Sequence, residues 1–518
     1  MKIISYFKST LSVLLIFSVV TSCLRKRPEE KPVVTDNTDA QLSGLELSKQ
    51  YCQGCHMYPE PDLLDKNIWE NYMLPRMGYM LGIYSNDSIR ETLFESGPGG
   101  KKVREANTFP AEQRIDNASW EKIKAYYMVN APDSLSKITA SYQPLKQFEP
   151  IIPDYQLSPP STTMVQFSEE GSFYIGDANS RSLLHFNANL NLLKVGKVPE
   201  GAVHIHETKQ HLWVTAMGSF SPTDAPSGML IRYPKEKGRP AVMVDSLQRP
   251  VHAAFSDLDG DGLEDVVISE FGKWTGGLSW WKQNANGTYT KNQLDHRPGA
   301  IRSYITDWNN DGLPDITALF GQGDEGITIY YNKGNGQFSI KKAIPLPSSY
   351  GSSYFNLFDY NSDGLLDILY AAGDNGDYPP ILKPYHGIRI FVNKGEETFE
   401  EVYFYPLHGA YNAIPKDFDL DGDMDIAIIS FFPDFQHHPE EAFVYLENTG
   451  DMQFTPHTLP GISNLGRWIV MDASDWDKDG DTDLILGALT FEVVPKMNYV
   501  NTWVKNGIPF IVLENKTF

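Results

Sequence analysis

Asp257-Leu-Asp-Gly-Asp-Gly-Leu-Glu-Asp265 is the first of five copies of one nine-residue pattern, and its recurrence decides the fold. The others are Asp307-Trp-Asn-Asn-Asp-Gly-Leu-Pro-Asp315, Asp359-Tyr-Asn-Ser-Asp-Gly-Leu-Leu-Asp367, Asp417-Phe-Asp-Leu-Asp-Gly-Asp-Met-Asp425 and Asp475-Trp-Asp-Lys-Asp-Gly-Asp-Thr-Asp483. Their first aspartates lie 50, 52, 58 and 58 residues apart. Within each copy, oxygen-bearing side chains fall at positions one, three, five and nine, and the glycine at position six permits a sharp turn. Hard oxygen donors at this spacing suit Ca²⁺. The candidate ligands are Asp257, Asp259, Asp261 and Asp265; Asp307, Asn309, Asp311 and Asp315; and Asp359, Asn361, Asp363 and Asp367. Asp417, Asp419, Asp421 and Asp425, then Asp475, Asp477, Asp479 and Asp483, complete up to five sites. An EF-hand is excluded, because Ile268 stands where the twelfth-position glutamate belongs and a β-like apolar run follows in place of a helix.

The five copies resemble the FG-GAP (VCBS-type) repeats of integrin α-chain propellers and many bacterial surface proteins. Around each loop the sequence supplies a strand before, a strand after, a third such as Ile327-Thr-Ile-Tyr-Tyr331, and a fourth beyond an Asn-Lys-Gly turn. Four strands in about 50 residues is the size of one propeller blade. Two units lacking the acidic loop fit at 161–200 and 202–249, so the expected count is seven blades. The last unit ends one strand short at Phe518, and Phe148 to Leu157 is expected to supply the missing strand and close the ring.

A different chemistry is written near the start. Cys52-Gln-Gly-Cys-His56 places two thiols two residues apart with an imidazole directly after, the pattern of covalent c-type haem attachment. A thioredoxin-like pair would need a surrounding βαβ pattern, and zinc would need two further ligands, whereas the next histidine is His185. Residues 45 to 132 resemble the small class I c-type cytochromes. Leu45, Leu47 and Tyr51 fit a first helix, Asp62 to Met73 a second, and Asp116 caps a third carrying Trp120, Ile123 and Tyr127 on one face. The resemblance implies one haem c bound through Cys52 and Cys55, with His56 as proximal ligand. Met77, bracketed by Pro75 and Gly78 and so expected in a turn, is the candidate sixth ligand; Met80 is the alternative, and an open sixth position a third. Each methionine also reads as adaptable core filler.

The N-terminus reads as an address. Lys2 and Lys8 precede an apolar run, Leu11 to Val20, too short to span a bilayer comfortably. The run ends Val20-Thr-Ser-Cys23, which resembles the lipobox of bacterial lipoproteins and implies removal of 1–22 and lipidation of Cys23. An ordinary signal peptide with a chance cysteine is the alternative, and it too exports the chain. Residues 23–44 are charged and poor in apolar side chains, and are expected to be a flexible tether. The expected order is therefore a lipidated tether, an all-α cytochrome c-like domain at 45–135, and an all-β propeller over 136–518 with a linker to about 147. The expected location is the outer membrane, held by the lipid anchor.

The net charge of −22 argues against a nucleic-acid partner. No nucleophile elbow, phosphate loop or zinc-protease motif is present. Five residues before each acidic loop stand His252, Arg302, Tyr354, Asn412 and Val470, near the start of the innermost strand and close to the central channel. Propeller channels are usually wet, so this polar lining is either ordinary or a ligand pocket. His204 and His206 alternate on one strand face of the second unit. Three functions follow as expectations. The first is single-electron transfer to a redox partner protein or small carrier, with the propeller as docking or substrate-binding module. The second is an oxidoreductase whose propeller holds a substrate or quinone cofactor that reduces the haem. The third is a glycan-binding adhesion propeller with a sensory haem.

Overall fold

The computed structural model describes residues 39–168, 171–376, 380–450, 452–491 and 498–518. The leader and Cys23 lie outside the described residues. No described helix is long and apolar enough to cross a membrane.

Ser43 starts the first helix, Gly44–Cys52, with a capping box: its hydroxyl accepts the Glu46 N–H at 3.3 Å, and the Glu46 carboxylate accepts the Ser43 N–H at 2.8 Å. Asp116 caps Asn117–Asn130 by accepting the Ser119 N–H at 2.9 Å. The two helices touch almost backbone to backbone, since a β-carbon on Gly44 would fall 2.3 Å from the Lys122 carbonyl oxygen. Leu47, Trp69, Trp120, Ile123 and Tyr127 form the core beneath them. Trp69 and Tyr127 pack with ring centroids 4.4 Å apart, and their polar tips reach the carbonyls of Pro61 and Pro59.

The middle of this segment differs from the expected helix–turn. Lys66–Ile68 continues through a π turn, Trp69–Met73, into a helix, Leu74–Met80, so Met77 sits on a helix and not in a turn. Pro75 is tolerated because the π turn precedes it. The Leu74 N–H reaches back five residues to the Trp69 carbonyl, and Pro75 falls in the first turn of the new register, where its missing donor is not needed.

Among the described residues, seven sheets make up most of the rest, with short helices at Ile462–Leu465 and Tyr499–Asn506 beside them. The two units lacking acidic loops are complete blades, Thr162–Lys197 and Ala202–Leu247. Blades three to six follow in strict order, and blade seven consists of Trp468–Ser474, Asp483–Ala488, Phe510–Asn515 and, outermost, Phe148–Ile151. The closing strand runs antiparallel to the last, with Phe148 opposite Asn515 and Ile151 opposite Val512. Phe148 wedges its ring among Phe418, Phe443 and Tyr445 of blade six. Gln143–Pro144, within the stretch expected as linker, adds a parallel fifth strand to blade six.

Each acidic loop joins the first and second strands of its blade, whereas the contacts with the helical segment come from the opposite ends of the strands. Glu95 accepts from the Thr223 hydroxyl at 2.8 Å and the Asp224 N–H at 2.9 Å. Phe109 meets Trp274 edge-on at 5.1 Å, and the Tyr385 hydroxyl donates to the Leu63 carbonyl at 2.8 Å. These partners lie on loops between second and third strands. The helical segment therefore rides on one face of the disc, and the acidic loops occupy the other.

Candidate functional site

The acidic loops are held by their ninth residue. Asp265, Asp315, Asp367, Asp425 and Asp483 are all fully buried. Each accepts one N–H from the second residue of its own loop and one from the end of the third strand, as Asp315 does from Trp308 at 3.0 Å and Asn332 at 2.7 Å. Burial raises these carboxyls, Asp425 to about 7 and Asp483 to about 6. The fifth residue, Asp261, Asp311, Asp363, Asp421 or Asp479, is exposed and accepts the N–H two residues on, as Asp311 does from Leu313 at 2.9 Å.

Carboxylate oxygens come together at the first, third and ninth positions. Asp257, Asp259 and Asp265 form one triad, Asp417, Asp419 and Asp425 a second, and Asp475, Asp477 and Asp483 a third, each with oxygens within 4.8 Å of one another. These triads can hold a divalent cation weakly. In the other two loops Asn309 and Asn361 replace the third-position carboxylate, and each amide is bonded to its neighbour, Asp311 at 3.0 Å and Asp363 at 2.9 Å. Reading the loops alone missed a resident cation: the Lys282 ammonium, from the third strand of blade three, pairs with Asp259 and lies 3.1 Å from Asp261.

The thiols lie at the end of the first helix. Cys52 is buried, which pushes its thiol up to about 11, while Cys55 is exposed. His56 Nδ1 is 2.7 Å from the Met57 carbonyl oxygen. That contact fits an Nδ1–H tautomer, leaving Nε2 with its lone pair available to a metal. A cleft of about 60 Å³ lies between the helical segment and blade five, walled by Leu64, Ile68, Trp69, Met73 and Met77 on one side. Ser348, Ser349, Asn375, Ile381 and Lys383 form the other wall, and Met80 is not part of the lining. The donor types of Cys52, Cys55 and His56 suit a haem, but none of the three is part of the cleft lining, which brings only the apolar wall and Met77. The cleft is far below the ~300–1,000 Å³ of small-molecule sites and must widen around a macrocycle.

The channel residues align in a ring. In all seven innermost strands the pairing register shifts by one residue just before the same position. That position is Met164, His204, His252, Arg302, Tyr354, Asn412 or Val470, in blade order, and it includes every channel residue expected from the spacing. Neighbours in the ring touch: His204 and His252 have centroids 4.2 Å apart, and the Arg302 guanidinium lies 4.7 Å from the Tyr354 ring centroid. Burial, then the Arg302 charge, holds His204 down to about 3, so it is neutral.

Three stretches, 257–318, 307–370 and 417–486, match the model of the FG-GAP-like repeat. The chain thus carries FG-GAP-like repeats on a seven-bladed propeller. No curated protein matches it. Among solved structures it is similar to virginiamycin B lyase from Staphylococcus aureus, at 11% identity and a TM-score of 0.46 over 71% of this chain and 99% of that one. It is also similar to a streptogramin B lyase, at 14% identity and a TM-score of 0.45 over 71% of this chain and 97% of the other. The blade count rests on the seven sheets themselves and not on these likenesses.

Proposed function

We propose that the chain is an exported, lipid-anchored c-type cytochrome that passes single electrons, with a Ca²⁺-binding propeller as its docking module. The observation that carries the reading is the contact between His56 Nδ1 and the Met57 carbonyl, beside Cys52 and Cys55. It orients an imidazole as a metal ligand needs, one residue beyond two thiols spaced for a porphyrin's vinyl groups. A bound haem would supply reversible one-electron chemistry. Cys52 and Cys55 would hold it covalently, His56 would be the proximal ligand, and Met77 the sixth, with Met73 facing the same cleft. Trp69, Ile68 and Leu64 would exclude water from the ring. Export and lipidation at Cys23 place the protein at the outer membrane, in contact with a redox partner or small electron carrier.

The shared cleft favours a second reading. Lys383, Asn375 and Ile381 of blade five form part of the wall that Met77 also lines, so a substrate or quinone cofactor oxidised there would stand beside the proposed sixth ligand. Adhesion with a sensory haem remains a third use of the same parts. Expression with a haem-maturation system tests the premise. The expected result is a Soret band that resists acid–acetone extraction and is lost in Cys52→Ser/Cys55→Ser. A colourless protein overturns it. Haem reduction on adding sugars or alcohols would favour the enzyme, and CO binding to the reduced form would show an open sixth position.

A further inference from the structure

We propose that the propeller channel is a blind pocket for a small organic carboxylate, gripped by Arg302. Three observations carry this, and none depends on the haem.

The first is a guanidinium without an acid. Arg302 lies on the innermost strand of blade four, and its Nε donates to the Tyr304 hydroxyl at 2.9 Å. Its Cζ lies 5.0 and 4.7 Å from the centroids of the Tyr304 and Tyr354 rings. Among the described residues it makes no ion pair, and its two terminal nitrogens make no hydrogen bond to protein. Burying a cation this way is costly unless an anion arrives. The outer edge of its planar fork, two N–H groups beside two aromatic rings, matches a carboxylate's two oxygens.

The second is the closure of one mouth. On the face under the helical segment, Phe431, Ile469 and Leu489 cluster with Phe220, Tyr411 and Phe432, joining blades two, six and seven across the axis. Arg467 lies 3.7 Å from the Phe431 ring centroid and seals its edge. Entry is left to the mouth on the acidic-loop face.

The third is the chemistry of the wall. Two residues further along the inner strands of blades two, four, five and seven stand His206, Tyr304, Asn356 and Asp472. Asp472 accepts the Phe167 N–H at 2.7 Å and is close enough to Arg302 for their charges to interact, yet outside ion-pair distance. His204 and the Asn412 side chain each keep one buried atom, Nδ1 and Oδ1, without a partner. Asp472 feels the Arg302 and Lys416 charges alike, and its own negative charge beside Arg302 favours a monoanion over phosphate or sulfate. Asp472 suits a hydroxyl or ammonium donor on the same ligand. The class is a small hydroxy- or aminocarboxylate.

The test is calorimetric titration of the Ca²⁺-loaded full chain with gluconate, lactate and glycine, against glucose and sulfate at matched ionic strength. At least one carboxylate is expected to bind saturably, with Arg302→Gln weakening it at least tenfold. The circular dichroism spectrum should be unchanged. Gluconate or lactate binding alone assigns the donor as hydroxyl, and glycine binding alone as ammonium. If Arg302→Gln fails to fold, Arg302→Lys keeps the charge but loses the fork and should weaken binding at least fivefold. No saturable carboxylate binding, undiminished binding by whichever variant folds, or sulfate binding as tightly as the best carboxylate overturns the proposal.

Discussion

The Lys282 ammonium lies 3.1 Å from the Asp261 carboxylate, inside a loop otherwise composed for a divalent ion. The lysine comes from the third strand of the same blade and meets the loop from the side, pairing also with Asp259. A cation already present competes with any ion that enters. The first acidic loop should therefore bind Ca²⁺ more weakly than those at 417–425 and 475–483. Lys282→Met should add one site, or tighten one about tenfold, in a Ca²⁺ titration. Chelation should lower the melting temperature of the whole propeller. At a hundredfold excess over Kd, linkage gives about 3 kcal/mol per site.

The ring is joined at Phe148. Its side chain is 3% exposed and meets three aromatic rings of blade six, while its backbone faces Asn515 of blade seven. Phe148→Ala should cost about 3–5 kcal/mol. Deleting 148–151 should lower the melting temperature far more, because it leaves the last blade with an unpaired edge. Differential scanning calorimetry reads both, and an unchanged melt after the deletion would rule out the closure.

Glu325 gives a pH signature. Its carboxylate is 2% exposed and accepts from the Ser352 N–H at 2.9 Å and the Ser352 hydroxyl at 2.6 Å, but burial still raises it to about 7. An acid that holds its proton more tightly when folded stabilises most below its unfolded value near 4.5. That contribution falls as pH rises and is gone above about 7. Stability should therefore decline between pH 4.5 and 7. Glu325→Gln should flatten this slope and stabilise the protein at pH 8 by on the order of 2 kcal/mol. Urea melts at several pH values would show it.

Gly44 marks the tightest helix contact. A β-carbon there would stand 2.3 Å from the Lys122 carbonyl and 2.7 Å from Tyr126 Cβ, both fixed parts of the facing helix. Gly44→Ala should raise helix propensity locally yet destabilise the helical segment by roughly 1–3 kcal/mol. Limited proteolysis should then release that segment while the propeller stays intact.

What the sequence disclosed and what it withheld follow from the range of the interactions. The blades were legible because each acidic loop is a local pattern repeated at blade spacing. The closing strand was legible because the last unit lacked a partner. The cap at Asp116 is likewise local. Met77 was misplaced because Pro75 reads as a breaker, and nothing in single-residue propensity announces the π turn that accommodates it. The grip of the ninth aspartate on the third strand joins residues 17 or more apart, as with Asp315 and Asn332. Lys282 was hidden for a similar reason: a lysine on a strand carries no sign that it points into a loop. The aromatic plug needs Phe220 and Phe431 on the same axis, which no linear spacing encodes. Its one available signal was the paired aromatics Phe431 and Phe432 following the second strand of blade six.

The seam between Phe148 and Asn515 has a consequence for how the molecule is made. Its two halves are separated by nearly the whole wheel, so the half synthesised first leaves the ribosome hundreds of residues before its mate. An arc short of its final strand exposes a bare edge at each end. Until residue 515 has emerged, the two bare edges stay open, and any stall in synthesis leaves an arc prone to pair with another arc.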